Sequence, residues 1–543
     1  MKVCLLYEDR ERVNEVTYYD TASIIKDLGL KAVFLAASKK LIYENGAVKK
    51  ADKEDQYLID TLRNVMMTPL ATKEEIEFRQ DIIRDCIKHE DMIRGLYDIS
   101  SMVLLKWNEL GRGTRDKMQQ SNPVTKLMAE IRVIHLLCEA LAQIRVLLKS
   151  QDEDFKSKGL CAFRDDLFKA FPEEREAFVK KVLDDISFYT DGAEREDEGR
   201  SQVVKPRIVM ECGLEDGLKF SSLKLEEVSS QSSKFYRPGS TMYKLQDFVN
   251  SRQPDSFSTV KDMHINEQSQ TLEYGVVLYL TEELKGFTEE FSTFFDRLKF
   301  QSAFYLSAVQ MLAQIERLGI DWCFPQVCDR RDLKFEELRE FVMGLEHRVN
   351  IIGNSCDLKQ SDLMIVTGAN QGGKSTFLRS IGIAQVMMQC GLMVTAKSYH
   401  SGIFPRIFVH FTRREDSEMN SGRLDEELGR MNKIVEQVGD GSLLLLNESF
   451  ATTTEKEGSV IAYDIINALN EAGVRILTVT HLLTFARRVH EESKAEEDSG
   501  VVFLSAERKE DGTRTFRMIH HEPELTSFGL DLYADIVEKK KID

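Results

Sequence analysis

The chain has 543 residues, 42% apolar and 30% charged, enough for several domains with cores of their own. Its net charge of −17 argues mildly against a protein that coats nucleic acid, since phosphate neutralisation and counterion release favour basic chains, although a local basic groove remains compatible with it. No run approaches the roughly 18 uninterrupted apolar residues of a membrane helix, and the first ten residues reach acidic side chains too early for a secretory signal. The nine cysteines are scattered without a Cys-x-x-Cys pair, which disfavours zinc or disulfides and fits a reducing, cytoplasmic setting.

Residues 1–65 read as a small mixed α/β segment, with the apolar run Val33-Phe34-Leu35 and a turn signal at Asn45-Gly46. From Thr72 the pattern turns helical: Thr72 and Glu75 form a capping box, and Ile76, Ile83 and Ile87 share one face. Gly111-Arg112-Gly113 and Asn122-Pro123 punctuate this helical stretch, which runs over 66–190 and includes a second amphipathic run from Val124 to Leu148. Residues 191–281 are Ser/Gly-rich and β-branched, with strands expected at Val203–Met210 and Tyr274–Leu280 and a solvated acidic loop at Asp191–Glu198. A helix then returns from Glu282 to Leu318, its Phe287, Phe291, Phe294 and Leu298 spaced as a packing stripe, within a segment 282–340. From 341 to 543 strands alternate with helices, the pattern of a mainly parallel sheet. The expected fold class is thus multidomain α plus α/β: a helical arm, a β-rich insertion, and a C-terminal domain with a mainly parallel sheet.

The chemistry concentrates in that last segment. The buried-strand run Leu363–Thr367 leads into Gly368-Ala369-Asn370-Gln371-Gly372-Gly373-Lys374-Ser375, followed by a helix from Thr376 to about Cys390. Glycines let successive N–H groups face the phosphates of a nucleotide, and the helix N-terminus adds its dipole. Lys374 reaches the β- and γ-phosphates, and Ser375 offers its hydroxyl to Mg²⁺. Thr376 and Asn354 join the nucleotide-contacting candidates. A second apolar strand, Ser442–Leu446, ends in Asn447-Glu448, and a third, Ile476–Thr480, ends in His481. Ligands bind at such strand ends. Glu448 is positioned to orient or deprotonate an attacking water, and His481 to contact the γ-phosphate or that water. Each also has a plain alternative, a strand-capping acid or a histidine satisfied by a loop.

These residues resemble the ATPase domain of MutS mismatch-repair proteins: Leu363–Ser375, the Asn447-Glu448 strand with Ser449–Thr454 behind it, and the Thr480-His481 strand end. Met67–Leu70 through Ile76–Asp81 is similar to the start of the MutS core, Glu290–Leu318 to its returning lever helix, and Thr526–Asp531 to the segment that closes the ATPase domain. The resemblance implies an ABC-type ATPase homodimer binding ATP and Mg²⁺, the latter through Ser375 and, partly through water, Asn447. Each nucleotide would be sandwiched against the partner's signature segment, which falls at Asn420-Ser421-Gly422-Arg423 before a helix carrying Glu427, Met431 and Ile434. It also implies a DNA-embracing clamp in the β-rich insertion, acting in repair or recombination on mismatched or branched DNA.

Several positions depart from the family's pattern. Residues 1–60 are too short for the mismatch-recognition domain, Asn447 stands where an Asp is usual, Ser421-Gly422-Arg423 replaces a Ser-Thr pair, and Phe450-Ala451-Thr452 replaces Gly-Arg-Gly. Only about fourteen residues follow Gly529, short of the C-terminal dimerising helices. An amide is a weaker partner for Mg²⁺ than a carboxylate, so binding should persist while hydrolysis slows. Lys234, Tyr236, Arg237, Tyr243 and Lys244 interleave charge and rings in the insertion, suiting either a nucleic-acid contact or an ordinary exposed loop. The sequence therefore supports a MutS-like ATPase clamp on DNA. Two alternatives stand beside it: a nucleotide-locked clamp with little turnover, and a ribosome- or RNA-directed relative.

Overall fold

The computed structural model describes residues 3–8, 17–39, 41–44, 47–51, 55–115, 123–150, 155–177, 181, 207–215, 219–229, 260–347, 351–358, 360–369, 371–412, 422–494, 500–509 and 513–523. In chain order the elements are α1 (Thr21–Asp27), α2 (Leu30–Leu35), β1 (Leu41–Glu44), β2 (Ala47–Ala51), α3 (Gln56–Met66), α4 (Lys73–Lys88), α5 (Glu90–Arg115), α6 (Pro123–Lys149) and α7 (Lys158–Ala170). There follow β3 (Arg207–Glu215), β4 (Lys219–Ser229), α8 (Val260–Arg317), β5 (Gln326–Val327), β6 (Leu333–Leu338), α9 (Phe341–His347), β7 (Asn354–Leu358), β8 (Leu363–Thr367) and α10 (Lys374–Gln389). The last are β9 (Ser398–Ser401), β10 (Ile407–Phe411), α11 (Arg423–Val435), β11 (Leu443–Asn447), α12 (Glu455–Glu471), β12 (Arg475–Val479), α13 (Leu483–Ser493), β13 (Val501–Arg508) and β14 (Arg514–His520). The protein is helical with mixed sheets, and no helix among the described residues is long and apolar enough to cross a membrane.

The contacts divide the chain into two units. The first comprises residues 1–3, 95–152 and 163–299, the second 4–94, 153–162 and 300–543. Within the first unit, α8 packs on α6 through Thr288, whose hydroxyl donates to Glu130 (2.9 Å), and on α7 through the stacked rings of Phe163 and Phe294, 6.5 Å apart. Phe294 and Leu298 of the expected stripe are buried, as is Phe295 beside them. β3 and β4 form an antiparallel hairpin in which Glu215 faces Lys219. Two sequence expectations change here. Tyr274–Leu280 is helix, not strand, because α8 already begins at Val260, well before Glu282. A short β-branched run reads alike in a strand or in a long helix, and the helix-forming sequence on both sides decides it. The strand expected at Val203–Met210 is placed at Arg207–Glu215.

In the second unit the capping box forms as the sequence dictates: Thr72 Oγ1 accepts from Glu75 N (3.2 Å) and Glu75 Oε2 from Thr72 N (3.2 Å). The helix it starts buries Ile76, Ile82 and Ile83. The main sheet has the order β10-β11-β12-β8-β13-β14, parallel except for the edge strand β14. Its inner strands are near-continuous apolar runs because helices cover both faces. Leu363, Ile365, Leu444, Leu446 and Ile476 pack against Met431 and Ile434 of α11, Ile466 of α12 and Phe485 of α13. The alternate residues face α10, where Gly382 allows a close approach: a Cβ there would lie 2.7 Å from both Leu445 and Leu28. Leu28 follows α1, so the N-terminal segment from Cys4 belongs to the same unit as the large sheet. A smaller sheet, β5-β9-β6-β7, lies in the same unit.

Candidate functional site

β8 ends at Thr367 and the chain turns through Gly368 into α10, whose first residue is Lys374. Gly368 has φ 108, and a Cβ there would stand 2.9 Å from Ala506 N on the neighbouring β13, so a side chain is excluded by both backbone and space. Gln371 and the N-cap Gly373 also have positive φ, 61 and 90. The loop is thereby wound around Lys374, which is only 4% exposed and whose Nζ donates to Gly368 O (2.8 Å) and Ala369 O (2.9 Å). Burial lowers the pKa of this ammonium, while the charge of Glu448 works in the opposite direction.

Glu448 reaches the same place from β11. Since β12 lies between β11 and β8, the two strand ends are about 9.5 Å apart, twice the strand spacing. Glu448 has φ 55; its N–H donates to Val479 O (2.8 Å) and its carbonyl accepts from Thr412 Oγ1 (2.6 Å). Just before it, Asn447 keeps its side-chain Oδ1 buried and without a hydrogen-bond partner. An oxygen in that condition at a strand end is suited to a cation or its water.

One cleft of about 650 Å³ collects Gln371, Gly372, Gly373, Lys374, Ser375, Thr376 and Glu448. Its other walls are side chains that the sequence pattern did not single out: Leu338, Glu340, Met343, Ile351, Ile352, Arg514, Thr515 and Phe516. Phe516 is 46% exposed, has φ 59 and stands beside Gly373, an aromatic plate held in a strained backbone. Arg514 donates to Gln371 Oε1 (2.9 Å) across the mouth of the loop. Glu340 is buried, which pushes its carboxyl up to about 7 despite a hydrogen bond from Met343 N and Arg379 at 3.8 Å. Periodicity marks none of these, because edge strand β14 and the Leu338–Met343 segment meet the loop only through the fold. The nearest sequence signal was an aromatic between two arginines, Arg514-Thr-Phe-Arg517.

The remaining candidates are placed less uniformly. Asn354 lines the cleft, but its amide is committed to β14, donating to Phe516 O (3.2 Å) and accepting from Met518 N (2.7 Å). His481 is exposed and outside the cleft lining, near Glu455. The Glu455 carboxyl is raised by burial, but hydrogen bonds from Thr484 and Ser459, with help from His481, bring it below its ordinary range. Gly422 is the exposed N-cap of α11. Asn370, Ser421, Asn420 and the run containing Lys234, Tyr236, Arg237, Tyr243 and Lys244 lie outside the described residues, as does Thr526–Asp531.

Taken together, fold and site define a class: a mainly parallel sheet whose central strand enters a P-loop-type turn and helix, with a carboxylate from a second strand end in the same cleft. Residues 364–539 match the family described as MutS domain V, and residues 71–196 match the MutS2 N-terminal domain. "Endonuclease MutS2" from Carboxydothermus hydrogenoformans is 25% identical over 67% of this chain and 49% of its own length. "DNA mismatch repair protein MutS" from Streptococcus mutans is 24% identical over 88% of this chain and 59% of its own, and the protein of that name from Granulibacter bethesdensis is 31% identical over 34% and 20%. Over these segments the chain is similar to MutS and MutS2 proteins. It spans less than two thirds of the length of these relatives.

Proposed function

We propose that this protein is a MutS-like ATP-dependent DNA-binding protein, a dimeric ATPase that closes long arms on mismatched or branched DNA in repair or recombination. The observation that carries the reading is the shared cleft of Lys374, Ser375 and Glu448 at the C-terminal ends of β8 and β11. Lys374 exchanges its two loop carbonyls for β- and γ-phosphate oxygens, and the N–H groups from Gln371 to Ser375 hold the rest of the triphosphate. Phe516, Ile351 and Ile352 supply an apolar and aromatic wall for the base. Ser375 and the unpaired Oδ1 of Asn447 fit Mg²⁺, which when bound neutralises charge on the β- and γ-phosphates. Glu448 orients the attacking water and takes its proton. His481, in the present placement, contributes only after a movement toward the γ-phosphate. Ser421 and Gly422 complete the site of a second copy, and the segment 191–281 supplies the DNA contacts between core and lever helices over 66–190 and 282–340.

Asn447 favours a second reading, a clamp locked by nucleotide with little turnover, because an amide holds Mg²⁺ and its waters less firmly than a carboxylate. A third keeps the ATPase and replaces DNA by a ribosome or RNA. Steady-state ATP hydrolysis with homoduplex, mismatched and branched DNA, and with ribosomal RNA, separates the three. Stimulation by one DNA form supports the first, firm ATP binding with a flat rate the second, and stimulation by RNA alone the third. Absence of nucleotide binding refutes all of them.

A further inference from the structure

Glu427 sits in the second turn of α11, is 3% exposed, and is used by none of the roles above. Its Oε1 accepts from Phe450 N (2.6 Å) and its Oε2 from Thr452 Oγ1 (2.6 Å). Both donors belong to the loop that leaves β11 directly after Glu448. In that loop Glu448 and Phe450 have φ 55 and 65, a region that non-glycine residues occupy only when their surroundings hold them there. The Phe450 ring is fully buried in the cluster containing Met431 and Ile434 of α11. From the strand side, His410 of β10 lies 2.7 Å from Ser449 Oγ through Nδ1 and 3.3 Å from Glu427 O through Nε2. In the Nε2–H tautomer the ring donates to Glu427 O and accepts from Ser449. Residues 449, 450 and 452 are therefore all tied, directly or through His410, to one turn of α11.

The geometry points to Glu427 as a positioning residue: its carboxylate fastens α11 to the loop that sets the backbone of Glu448, so that a displacement of α11 is carried to the water-orienting carboxylate. This rests on the ATPase reading above. Glu427 does not line the nucleotide cleft, so its loss acts on turnover and spares ATP affinity. Gln at this position keeps an acceptor for Phe450 N, and its amide can donate to the Thr452 hydroxyl in place of the original bond.

The test uses the full chain with Glu427→Ala, Glu427→Gln and Thr452→Val, measuring single-turnover ATP hydrolysis, affinity for a fluorescent ATP analogue, and thermal unfolding. Glu427→Ala should lower the hydrolysis rate on the order of 10²-fold, the scale of a misplaced catalytic group, with analogue affinity little changed. Thr452→Val should fall between it and wild type, and Glu427→Gln should recover most of the rate. Rates of Glu427→Ala and Thr452→Val matching wild type overturn the proposal while leaving the ATPase reading intact. It is also overturned if affinity and unfolding temperature fall together with the rate in every variant, Gln included, since that pattern marks a merely structural residue. A wild-type protein that neither binds nor hydrolyses ATP overturns the ATPase reading itself, and this inference with it.

Discussion

Replacing Arg79 tests how α10, the helix that follows the Gly368–Gly373 turn, is anchored. Arg79 lies on α4, in the Ile76–Asp81 run, and is 0% exposed. Its Nε and Nη2 donate to Leu6 O (3.3 and 3.1 Å) and its Nη1 to Cys390 O (3.0 Å), the C-cap of α10. The guanidinium also lies over the rings of Tyr7 and Phe304, at 5.2 and 5.3 Å. In Arg79→Met the volume is nearly kept, so the change isolates the polar contacts. Two buried carbonyls lose their charged donors, each such bond contributing about 1.5–3 kcal/mol, and cation–π contacts of up to about 2 kcal/mol go with them. Returning a buried charge to solvent in the unfolded reference offsets several kcal/mol of this. The net expectation is a loss of about 3 kcal/mol, with Arg79→Lys recovering little because a point charge cannot serve both carbonyls. Urea unfolding of the full chain, followed by tryptophan fluorescence, measures it. A Met variant within about 0.5 kcal/mol of wild type, the range of ordinary surface changes, would refute the reasoning and mean that the desolvation cost cancels the bonds.

Other outcomes follow from the site. Lys374→Met should weaken ATP binding on the order of 10²-fold or more, since two or more charged hydrogen bonds to phosphate vanish; a fluorescent-nucleotide titration showing unchanged affinity would remove the nucleotide assignment. Asn447→Asp should raise hydrolysis about tenfold or more with Mg²⁺, since a carboxylate holds the metal better, and should destabilise the nucleotide-free protein by burying an unpaired charge; slower turnover in the variant contradicts the locked-clamp reading. Glu340, with its carboxyl pushed up to about 7 by burial, stays protonated in the folded protein at pH values where the unfolded chain has released the proton. Stability should therefore decline as pH rises from about 4.5 to about 7 and level off above, and Glu340→Gln should flatten that slope, gaining at most about 3 kcal/mol at pH 8. Unfolding temperatures of both proteins between about pH 4.5 and pH 8 decide this, and parallel curves would refute it.

The sequence by itself determined the elements whose signal is local. Thr72 and Glu75 cap α4 because the box needs only residues three apart. Leu363–Thr367 forms β8 and the glycines after it form the turn, because an apolar run bounded by conformationally free residues has few other options. The helix that the resemblance implied after the signature segment is α11, and the structure shows its Glu427, Met431 and Ile434 to be buried. Where local signals were ambiguous, longer neighbours decided: Tyr274–Leu280 joins a 58-residue helix because its flanks are helical. Only the tertiary structure decided which strand ends meet. Glu448, two strands away from β8, shares the cleft with Lys374, whereas His481, at the end of the adjacent β12, is exposed and outside it, so the path of the chain after each strand decides the difference. The fold also brings Phe516 and Arg514 of an edge strand, and Glu340 of a preceding segment, to the Gly372–Ser375 turn from far along the chain. The physical reason is that hydrogen-bonded sheet order and helix packing are global choices, set by which apolar faces bury one another, whereas caps, turns and strand runs are settled within a few residues.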